Sequence, residues 1–274
     1  MSAITSPPPP RPYRTPPAVR RALFGLAALV GLFLVAGGTV SVLDLAARKT
    51  TEDVRTYEGV RALDISDASD VRLTSAPAGA PLQVRARVTE GLRSPERVAR
   101  RRSDGTLELA SSCPFLFSSN SNCDVDYEIA VPAGTAVRVD ANGGDVVAED
   151  LVSTLPVQLE SSGGDITAVD VTAPELRLSS SAGDVEASGV RSEVVHAESS
   201  AGDVSLSLRT PPDRVEADSS AGDVELVLPD ETYRVDASTS AGDVDDRQVR
   251  TDPQSPRIVV AHSSAGDVRI EARR

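Results

Sequence analysis

Gly-Asp steps recur through the C-terminal half of this 274-residue chain at a nearly constant spacing. Successive steps are separated by 20, 19, 19, 20, 20 and 24 residues. Seven copies near one period are typical of proteins that stack a small structural unit many times. The seven aspartates are Asp145, Asp165, Asp184, Asp203, Asp223, Asp243 and Asp267.

The residues around each Gly-Asp step alternate between apolar and polar. Before Asp223, for example, Val215 and Ala217 flank Glu216, and Val224 and Leu226 follow the turn. Alternation with a period of two residues indicates a strand with one buried face. Each repeat is therefore predicted to be a strand, a tight turn and a second strand.

The turn itself reads Ser or Asn, Gly or Ala, Gly, Asp. Glycine adopts positive φ angles easily, and an aspartate carboxylate can accept hydrogen bonds from the N–H groups of a turn. Both residue types are thus expected to serve the turn. Prolines fall between the repeats, where the loss of a backbone donor is tolerated; they are Pro156, Pro174, Pro211, Pro212, Pro229, Pro253 and Pro256.

A two-strand unit of about 20 residues cannot bury its own apolar face, so neighbouring units must stack. The predicted fold class is all-β, a β-solenoid or β-helix-like stack of two-strand rungs. Aromatic residues are 3% of the chain and Trp is absent, which suits a narrow interior of Val, Leu and Ala. A meander of antiparallel hairpins closed into a sandwich is the alternative, because Gly-Asp turns would serve it equally well.

Both ends of the repeat region depart from the pattern. Residues 60–71 carry a degraded copy, with Ser69-Asp70-Val71 in place of Gly-Asp-Val, as expected for a first rung. At the other end, charged residues are expected to protect an open edge of the final strand. These are Arg269, Glu271, Arg273 and Arg274.

An uncharged run of 22 residues, 22–43, precedes the repeats. At about 1.5 Å per residue it would span roughly 33 Å, the thickness of a bilayer core, so it is predicted to be an uncleaved transmembrane helix. A cleaved signal peptide is the alternative reading. Arginines before the run favour a cytoplasmic N-terminus; they are Arg11, Arg14, Arg20 and Arg21.

These features divide the chain into four parts. Residues 1–21 are expected to form a Pro-rich cytoplasmic tail, 22–43 the transmembrane helix, 44–56 a linker and 57–274 an extracytoplasmic β-strand-repeat domain. The expected location is the plasma membrane, crossed once.

Two cysteines, Cys113 and Cys123, flank nine residues. An even pair in an exported chain is read first as a small disulfide loop. A zinc site would need further ligands, and the spacing differs from the Cys-x-x-Cys of redox motifs. We expect a structural disulfide.

Residues 91–105 interrupt the regular pattern and are expected to form a loop or short helix rich in arginine. The cluster could meet an anionic wall polymer or lipid headgroups, or it could simply be a solvated insertion that pairs with the acidic body. The residues are Arg93, Arg97, Arg100, Arg101 and Arg102.

Four features of this chain together resemble one known family. They are the single predicted span, the degraded first strand pair, the cysteine loop that runs into residues 127–135 (YEIAVPAGT) and the repeated SSAGDV turns. These are the bacterial β-strand-repeat proteins grouped as a domain of unknown function and labelled putative adhesin. The resemblance covers residues 57–274. It implies a β-helix-like body on the cell surface and brings no catalytic residues.

The seven aspartates are the residues most suggestive of chemistry. Stacked in register they would recur about every 4.8 Å and repel one another by roughly 0.9 kcal/mol per pair in water. Calcium would offset that repulsion, but turn hydrogen bonds and hydration offset it more simply. His196 and His262 are expected on the surface, and the serines stand in turn or ladder positions with no base at a defined spacing.

No enzyme and no cofactor are therefore expected, and a formal net charge of −13 argues against a nucleic-acid partner. The expected function is a non-enzymatic, membrane-anchored envelope protein that acts as an adhesin or scaffold toward wall polymer or a surface protein. The alternative is a sensory or regulatory ectodomain that signals through its single helix.

Overall fold

The computed structural model describes residues 45–77, 79–91, 94–112 and 123–273, together with residues 26–27, 30–32 and 34. These residues form 22 strands in two sheets of 11. In the first half of the chain the strands are β1 (Lys49–Tyr57), β2 (Ala62–Ala68), β3 (Val71–Ser75), β4 (Leu82–Glu90), β5 (Glu96–Arg101), β6 (Thr106–Ser112), β7 (Cys123–Val131), β8 (Ala136–Ala141), β9 (Val146–Glu149), β10 (Val157–Ser161) and β11 (Ile166–Val169).

The second half continues the same pattern of short strands. They are β12 (Glu175–Ser180), β13 (Val185–Val190), β14 (Val194–Ser199), β15 (Val204–Leu208), β16 (Arg214–Ser219), β17 (Val224–Pro229), β18 (Thr232–Thr239), β19 (Val244–Asp245), β20 (Arg250–Thr251), β21 (Ile258–Ser263) and β22 (Val268–Arg273).

The two sheets face each other across one core. Sheet A has the order β1-β4-β7-β3-β9-β11-β13-β15-β17-β22-β19, and sheet B has the order β20-β18-β21-β16-β14-β12-β10-β8-β2-β6-β5. Each Gly-Asp turn joins a strand of sheet B to one of sheet A, and that pair of strands is called a rung below. Successive rungs pair in parallel and in register, as Val157 does with Val137 on one side and Leu176 on the other. The solenoid prediction is confirmed, and the antiparallel hairpin alternative is wrong for the repeats.

The core is the stack of inward residues that the repeat alignment indicated. Val215 and Ala217 of β16 are fully buried, as are Val224 and Leu226 of β17, while Glu216 between the first two stays on the outer face. Burial this complete is worth about 1.5–3 kcal/mol for each large aliphatic side chain, so the core rather than the turns supplies most of the stability.

Neither end of the stack follows chain order. At the N-terminal end, β2 and β3 lie between β6–β7 and β8–β9. At the C-terminal end, β21 and β22 lie between β16–β17 and β18–β19. The degraded repeat at residues 60–71 does form a rung, but it is second in the stack. The final strand β22 is likewise not an outermost strand, because β19 lies beyond it. The prediction that its charges protect an open edge is therefore wrong for Arg269, which pairs with Asp245 of β19.

Antiparallel strands close the N-terminal end. β1 pairs with β4, and β4 with β7, to extend sheet A, while β5 pairs with β6 to extend sheet B. β1 thus places residues 49–57 in the β-body, including most of the segment predicted to be a linker. β5 is a strand where a loop or short helix was expected. All six of its residues are exposed and its sequence shows no alternation, and its antiparallel pairing with β6 accounts for the extended conformation.

The predicted transmembrane segment lies mostly outside the described residues. Within 22–43, only residues 26–27, 30–32 and 34 are described, and they are helical. Among the described residues, no helix is both long and apolar enough to cross a bilayer.

Candidate functional site

The aspartates of the Gly-Asp turns form one continuous hydrogen-bonded ladder. In each link, the backbone N–H of one aspartate donates to the Oδ1 of the aspartate in the adjacent rung, at 2.7–3.0 Å. The ladder runs in spatial order through Asp70, Asp145, Asp165, Asp184, Asp203, Asp223, Asp267 and Asp243. Sequence analysis singled out seven of these residues and placed Asp70 in the degraded turn.

A second ladder of buried hydroxyls runs beside the aspartates. Ser180 donates to the carbonyl oxygen of Gly164 in the neighbouring rung at 2.9 Å, and Ser199 donates to Gly183 in the same way. Both serines are at most 2% exposed. A buried hydroxyl that lacked a partner would cost about 1–3 kcal/mol, so these bonds explain the serine at the last position of the strand before the turn.

The glycine before each aspartate is required by close contact between rungs. A Cβ added to Gly202 would lie 2.4 Å from the carbonyl oxygen of Gly183, and the corresponding distance from Gly222 to Gly202 is 2.3 Å. The φ angles of Gly183, Gly202 and Gly222 lie outside the left-handed region. The expectation that these glycines supply positive φ is therefore wrong, because the space between rungs is what excludes a side chain.

The two ladders account for most of the polar side chains of the turns. Every carboxylate in the ladder except that of Asp243, at its end, accepts a hydrogen bond from an N–H group. This is the simpler offset to repulsion that sequence analysis set against calcium. In the described part of the chain, no group of three or more His, Cys, Asp or Glu side chains is arranged to hold a metal ion. What the structure shows of the aspartate row is that it joins adjacent rungs through hydrogen bonds.

The histidines lie on the outer face of sheet B, where sequence analysis expected them. His196 Nδ1 is 2.6 Å from a carboxylate oxygen of Glu216, and His262 Nδ1 is 3.1 Å from the hydroxyl of Ser238. Arg214 is the main cause of the lowered pKa of Glu216, and His196 adds to the effect. Both histidines contact side chains of neighbouring strands, and His196 also lines a cavity of about 350 Å³ on this face.

The disulfide prediction lies outside the described residues. Cys113 is not described, and Cys123 is described only by its backbone at the start of β7. The pairing of the two cysteines stays a prediction.

The arginine cluster does not form one patch. Because residues directly opposite each other in an antiparallel pair share a face, Arg97 and Arg101 lie on the inward side with Ser111 and Leu107, while Arg100 lies on the outer side with Glu108. Arg101 donates to the carbonyl oxygen of Gly59 at 3.1 Å, and Arg102 pairs with Glu108 at 3.2 Å. Arg93 lies outside the described residues.

Arg97 belongs to a cleft between the two sheets at the N-terminal end of the stack. The cleft has a volume of about 470 Å³, within the range of small-molecule sites. Its apolar lining comes from both sheets and includes Val84, Ala86, Val98, Leu109 and Tyr127.

Charged side chains stand among the lining residues of this end cleft. Asp53 Oδ2 lies 2.8 Å from an Arg55 nitrogen and 3.9 Å from an Arg97 nitrogen, so one carboxylate faces two guanidinium groups. The three side chains are 36–59% exposed. Arginine binds carboxylates and phosphates through paired hydrogen bonds, so this group has one more positive than negative charge available to an anion.

Tyr127 connects the charged group to the apolar lining. Its side chain is 4% exposed, and burial raises the pKa of its phenol while the positive charge of Arg97 acts in the opposite direction. Tyr57 also lines the cleft. The end cleft thus offers an apolar interior beside a net positive cluster, an arrangement that suits an amphipathic anion.

A family model described as Toastrack DUF4097 matches residues 118–274, more than half of the chain. The chain belongs to this family. The resemblance to β-strand-repeat proteins labelled putative adhesin is thereby confirmed. β1 to β6, which supply most of the end cleft, precede the matched segment.

Several solved structures are weakly similar to this chain. One is a putative adhesin from Bacteroides fragilis, at 15% identity and a TM-score of 0.45, with 82% of this chain and 97% of that chain covered. Another is a putative cell adhesion protein from Clostridium sporogenes, at 14% identity and a TM-score of 0.38, with 82% and 100% covered. A third is a putative lipid binding protein from Parabacteroides distasonis, at 9% identity and a TM-score of 0.43, with 82% of this chain and 97% of that chain covered. A search of curated proteins finds no match.

Sequence reasoning missed most of the end cleft. Of its charged residues it singled out Arg97 and passed over Asp53 and Arg55, because β1 lies in a segment that was read as a linker. Residues 49–57 are mostly polar and do not alternate regularly between polar and apolar, so their sequence gives no hydrophobic signal for a strand. Tyr57 and Tyr127, two of only four tyrosines, were the available hint.

Proposed function

We propose that this chain is a non-enzymatic, membrane-anchored protein of the cell envelope that acts as an adhesin or scaffold. The observation that carries the proposal is the use of the repeated Asp and Ser side chains. They hold one rung to the next, so the residue types that most often perform chemistry serve here to make a long, rigid body.

The proposed partner surface is the acidic flank of the stack. Residues 123–273 contain 30 Asp and Glu but 11 Arg and Lys. A surface with this excess of one sign attracts cationic partners and repels anionic ones, and its effect falls with ionic strength. A basic surface protein or a wall polymer that carries amines fits this flank.

The proposed anchorage is tested by protease access to full-length protein in intact cells. We expect external trypsin to cut after Arg247, whose side chain is 83% exposed, and to spare Arg14, Arg20 and Arg21 in the tail. Fragments would be identified by mass spectrometry. Cleavage in the tail without cleavage after Arg247 would contradict the proposed orientation.

The adhesive role is tested by pull-down with the intact anchored protein. We expect wall or surface components to be captured at low salt and released as ionic strength rises. The sensory alternative is favoured by one observation, the position of the end cleft beside β1, the strand nearest the predicted span. Capture of a cytoplasmic regulator through residues 1–21, with no surface component, would support that alternative instead.

A further inference from the structure

The end cleft lies at the membrane-proximal end of the stack if the proposed anchorage holds. Only five residues separate the predicted span, 22–43, from Lys49, and five residues reach at most about 18 Å. β1 is the outermost strand of sheet A. Strands run across the axis of the stack, so Asp53 and Tyr57 in β1 lie on the end face that Lys49 brings toward the bilayer.

Charge is distributed unevenly along the stack, in a way that fits this orientation. Residues 48–112, which form the N-terminal end, contain 12 Arg and Lys and 10 Asp and Glu, whereas residues 123–273 carry the large acidic excess given above. An anionic membrane attracts the first part and repels the second. The electrostatic field therefore favours the end face against the bilayer and the acidic body away from it.

We propose that the end cleft binds an anionic lipid of the membrane in which the protein is anchored. The acyl chain would lie along Val84, Leu109 and Tyr127, and the phosphate would pair with Arg55 and Arg97. Asp53 occupies those two guanidinium groups in the absence of a ligand and competes with the phosphate for them. The inference rests on the proposed anchorage and adds a ligand class to it.

Asp53 gives the proposal an unusual signature, because removal of its charge should strengthen binding. The Asp53→Asn variant frees both arginines, whereas the double variant Arg55→Gln, Arg97→Gln removes the partners of the phosphate. Each arginine near an anionic surface is worth about fivefold in binding. Arg177→Gln is the matched control, since Arg177 lies on the outer face of sheet B and pairs with Glu175 at 2.6 Å.

The experiment uses the full chain in nanodiscs that contain a phosphatidylglycerol with a photoreactive diazirine in its acyl chain. Labelled peptides are identified by mass spectrometry after irradiation, and circular dichroism checks that every variant keeps its β-structure. We expect labels on the Tyr57 and Tyr127 peptides. The yield of labelled cleft peptides should be at least fivefold lower in the double arginine variant than in the natural protein. It should be higher in Asp53→Asn and unchanged in Arg177→Gln.

The same probe built on phosphatidylcholine tests the charge requirement, and we expect it to label the cleft several-fold less. Equal labelling by both lipids would overturn the proposal. So would labels confined to peptides outside the cleft, or an absence of label. If added wall polymer abolishes the labelling, the site belongs to that polymer, and the proposal is overturned as well.

Failure of the anchorage has a separate readout. A chain without a membrane span would elute apart from the nanodiscs before irradiation, which would overturn the anchorage and this inference together. A chain that elutes with the nanodiscs but takes no label in the cleft would overturn this inference alone.

Discussion

At the scale of single residues, the space for one methyl group decides whether two rungs can meet. In the turn of residues 161–165, Gly163 and Gly164 are adjacent yet differ in their surroundings. A Cβ on Gly164 would lie 2.2 Å from the carbonyl oxygen of Gly144, whereas a Cβ on Gly163 would lie 3.5 Å from the nearest atom. Other turns already carry alanine at the position of Gly163, as at Ala182 and Ala201.

We predict that Gly164→Ala lowers the free energy of unfolding by about 2–3 kcal/mol, because the rungs must move apart to admit the methyl group. Gly163→Ala is the matched control and should change stability by less than about 0.5 kcal/mol. Chemical denaturation followed by circular dichroism measures both. Equal losses in the two variants would show that the contact between rungs is not what selects glycine.

Asp184 tests whether the aspartate ladder needs a cation. Its Oδ1 accepts from the N–H of Asp203 at 2.8 Å. We predict that Asp184→Ala costs about 1 kcal/mol, since the N–H loses its acceptor, and that Asp184→Asn costs less because an amide oxygen replaces the carboxylate and one like charge is removed. Thermal melts with and without a chelator complete the test. A lower melting temperature with chelator would favour calcium.

Tyr233 predicts a specific response to alkaline pH. The side chain is fully buried, its hydroxyl donates to the carbonyl oxygen of Pro229 at 3.1 Å, and burial raises its pKa to about 12. Since the folded pKa exceeds the ordinary value near 10, its contribution to stability is complete below pH 10 and is lost as pH rises through 12.

We therefore predict that Tyr233→Phe is about 1 kcal/mol less stable than the natural protein at pH 8, because the hydrogen bond is lost. The difference should shrink between pH 10 and 12, because phenylalanine does not titrate. Denaturation curves of both proteins across this range provide the measurement. A difference that stays constant up to pH 12 would show that Tyr233 ionises equally in the folded and unfolded chain.

At the scale of strands, the exchanged order of the last two rungs makes the C-terminus an internal part of the stack. β21 pairs with β16 on one side and with β18 on the other over six residues each. A nearest-neighbour description assigns an internal rung two interfaces and an end rung one. The C-terminal segment should thus be held more firmly than its place in the chain indicates.

A cut between Arg247 and Gln248 tests this arrangement. Both residues are exposed, and a protease site inserted there separates β20, β21 and β22 from the rest of the chain. We predict that the fragment stays bound after cleavage and leaves only when denaturant unfolds the whole protein. Gel filtration of the cleaved protein shows the outcome, and release of the fragment under native conditions would contradict the pairing of β21 on both sides.

How much of this fold was predictable depends on whether an element repeats. The aligned apolar positions that include Val215, Val224 and Leu226 predicted the rungs and their inward faces correctly, because stacking forces every copy into one register. Strand order at the ends was not predictable. Val235 and Val259 occupy the same position in their repeats, so either rung fits against β16 equally well on local pattern alone. The end cleft was not predicted, because the antiparallel strands that form it occur once each and produce no periodic pattern in the sequence.

At the scale of the whole molecule, stability should depend on the number of complete rungs. Eleven strands at about 4.8 Å make each sheet roughly 48 Å long, and each added rung forms the same two interfaces as its neighbours. We predict that a second copy of residues 185–203, inserted after Asp203, leaves the melting temperature unchanged or higher.

The matched control inserts only residues 185–194, half of a rung. This insertion places the next strand in the wrong sheet and interrupts both ladders, so we expect a loss of at least about 3 kcal/mol. Thermal unfolding followed by circular dichroism compares the two proteins. Equal effects of the whole and half insertions would contradict a solenoid built from interchangeable rungs.

The position of β21 and β22 inside the stack also has a consequence for biogenesis. A chain that emerges from the ribosome or crosses a membrane N-terminus first presents β18 and β19 before the rung that must separate them from β16 and β17. Their final neighbours exist only after β21 and β22 (residues 258–273) have been released. Assembly of this end must therefore wait for β21 and β22, and a product truncated before them would keep an unfinished apolar surface by which quality-control proteases could recognise it.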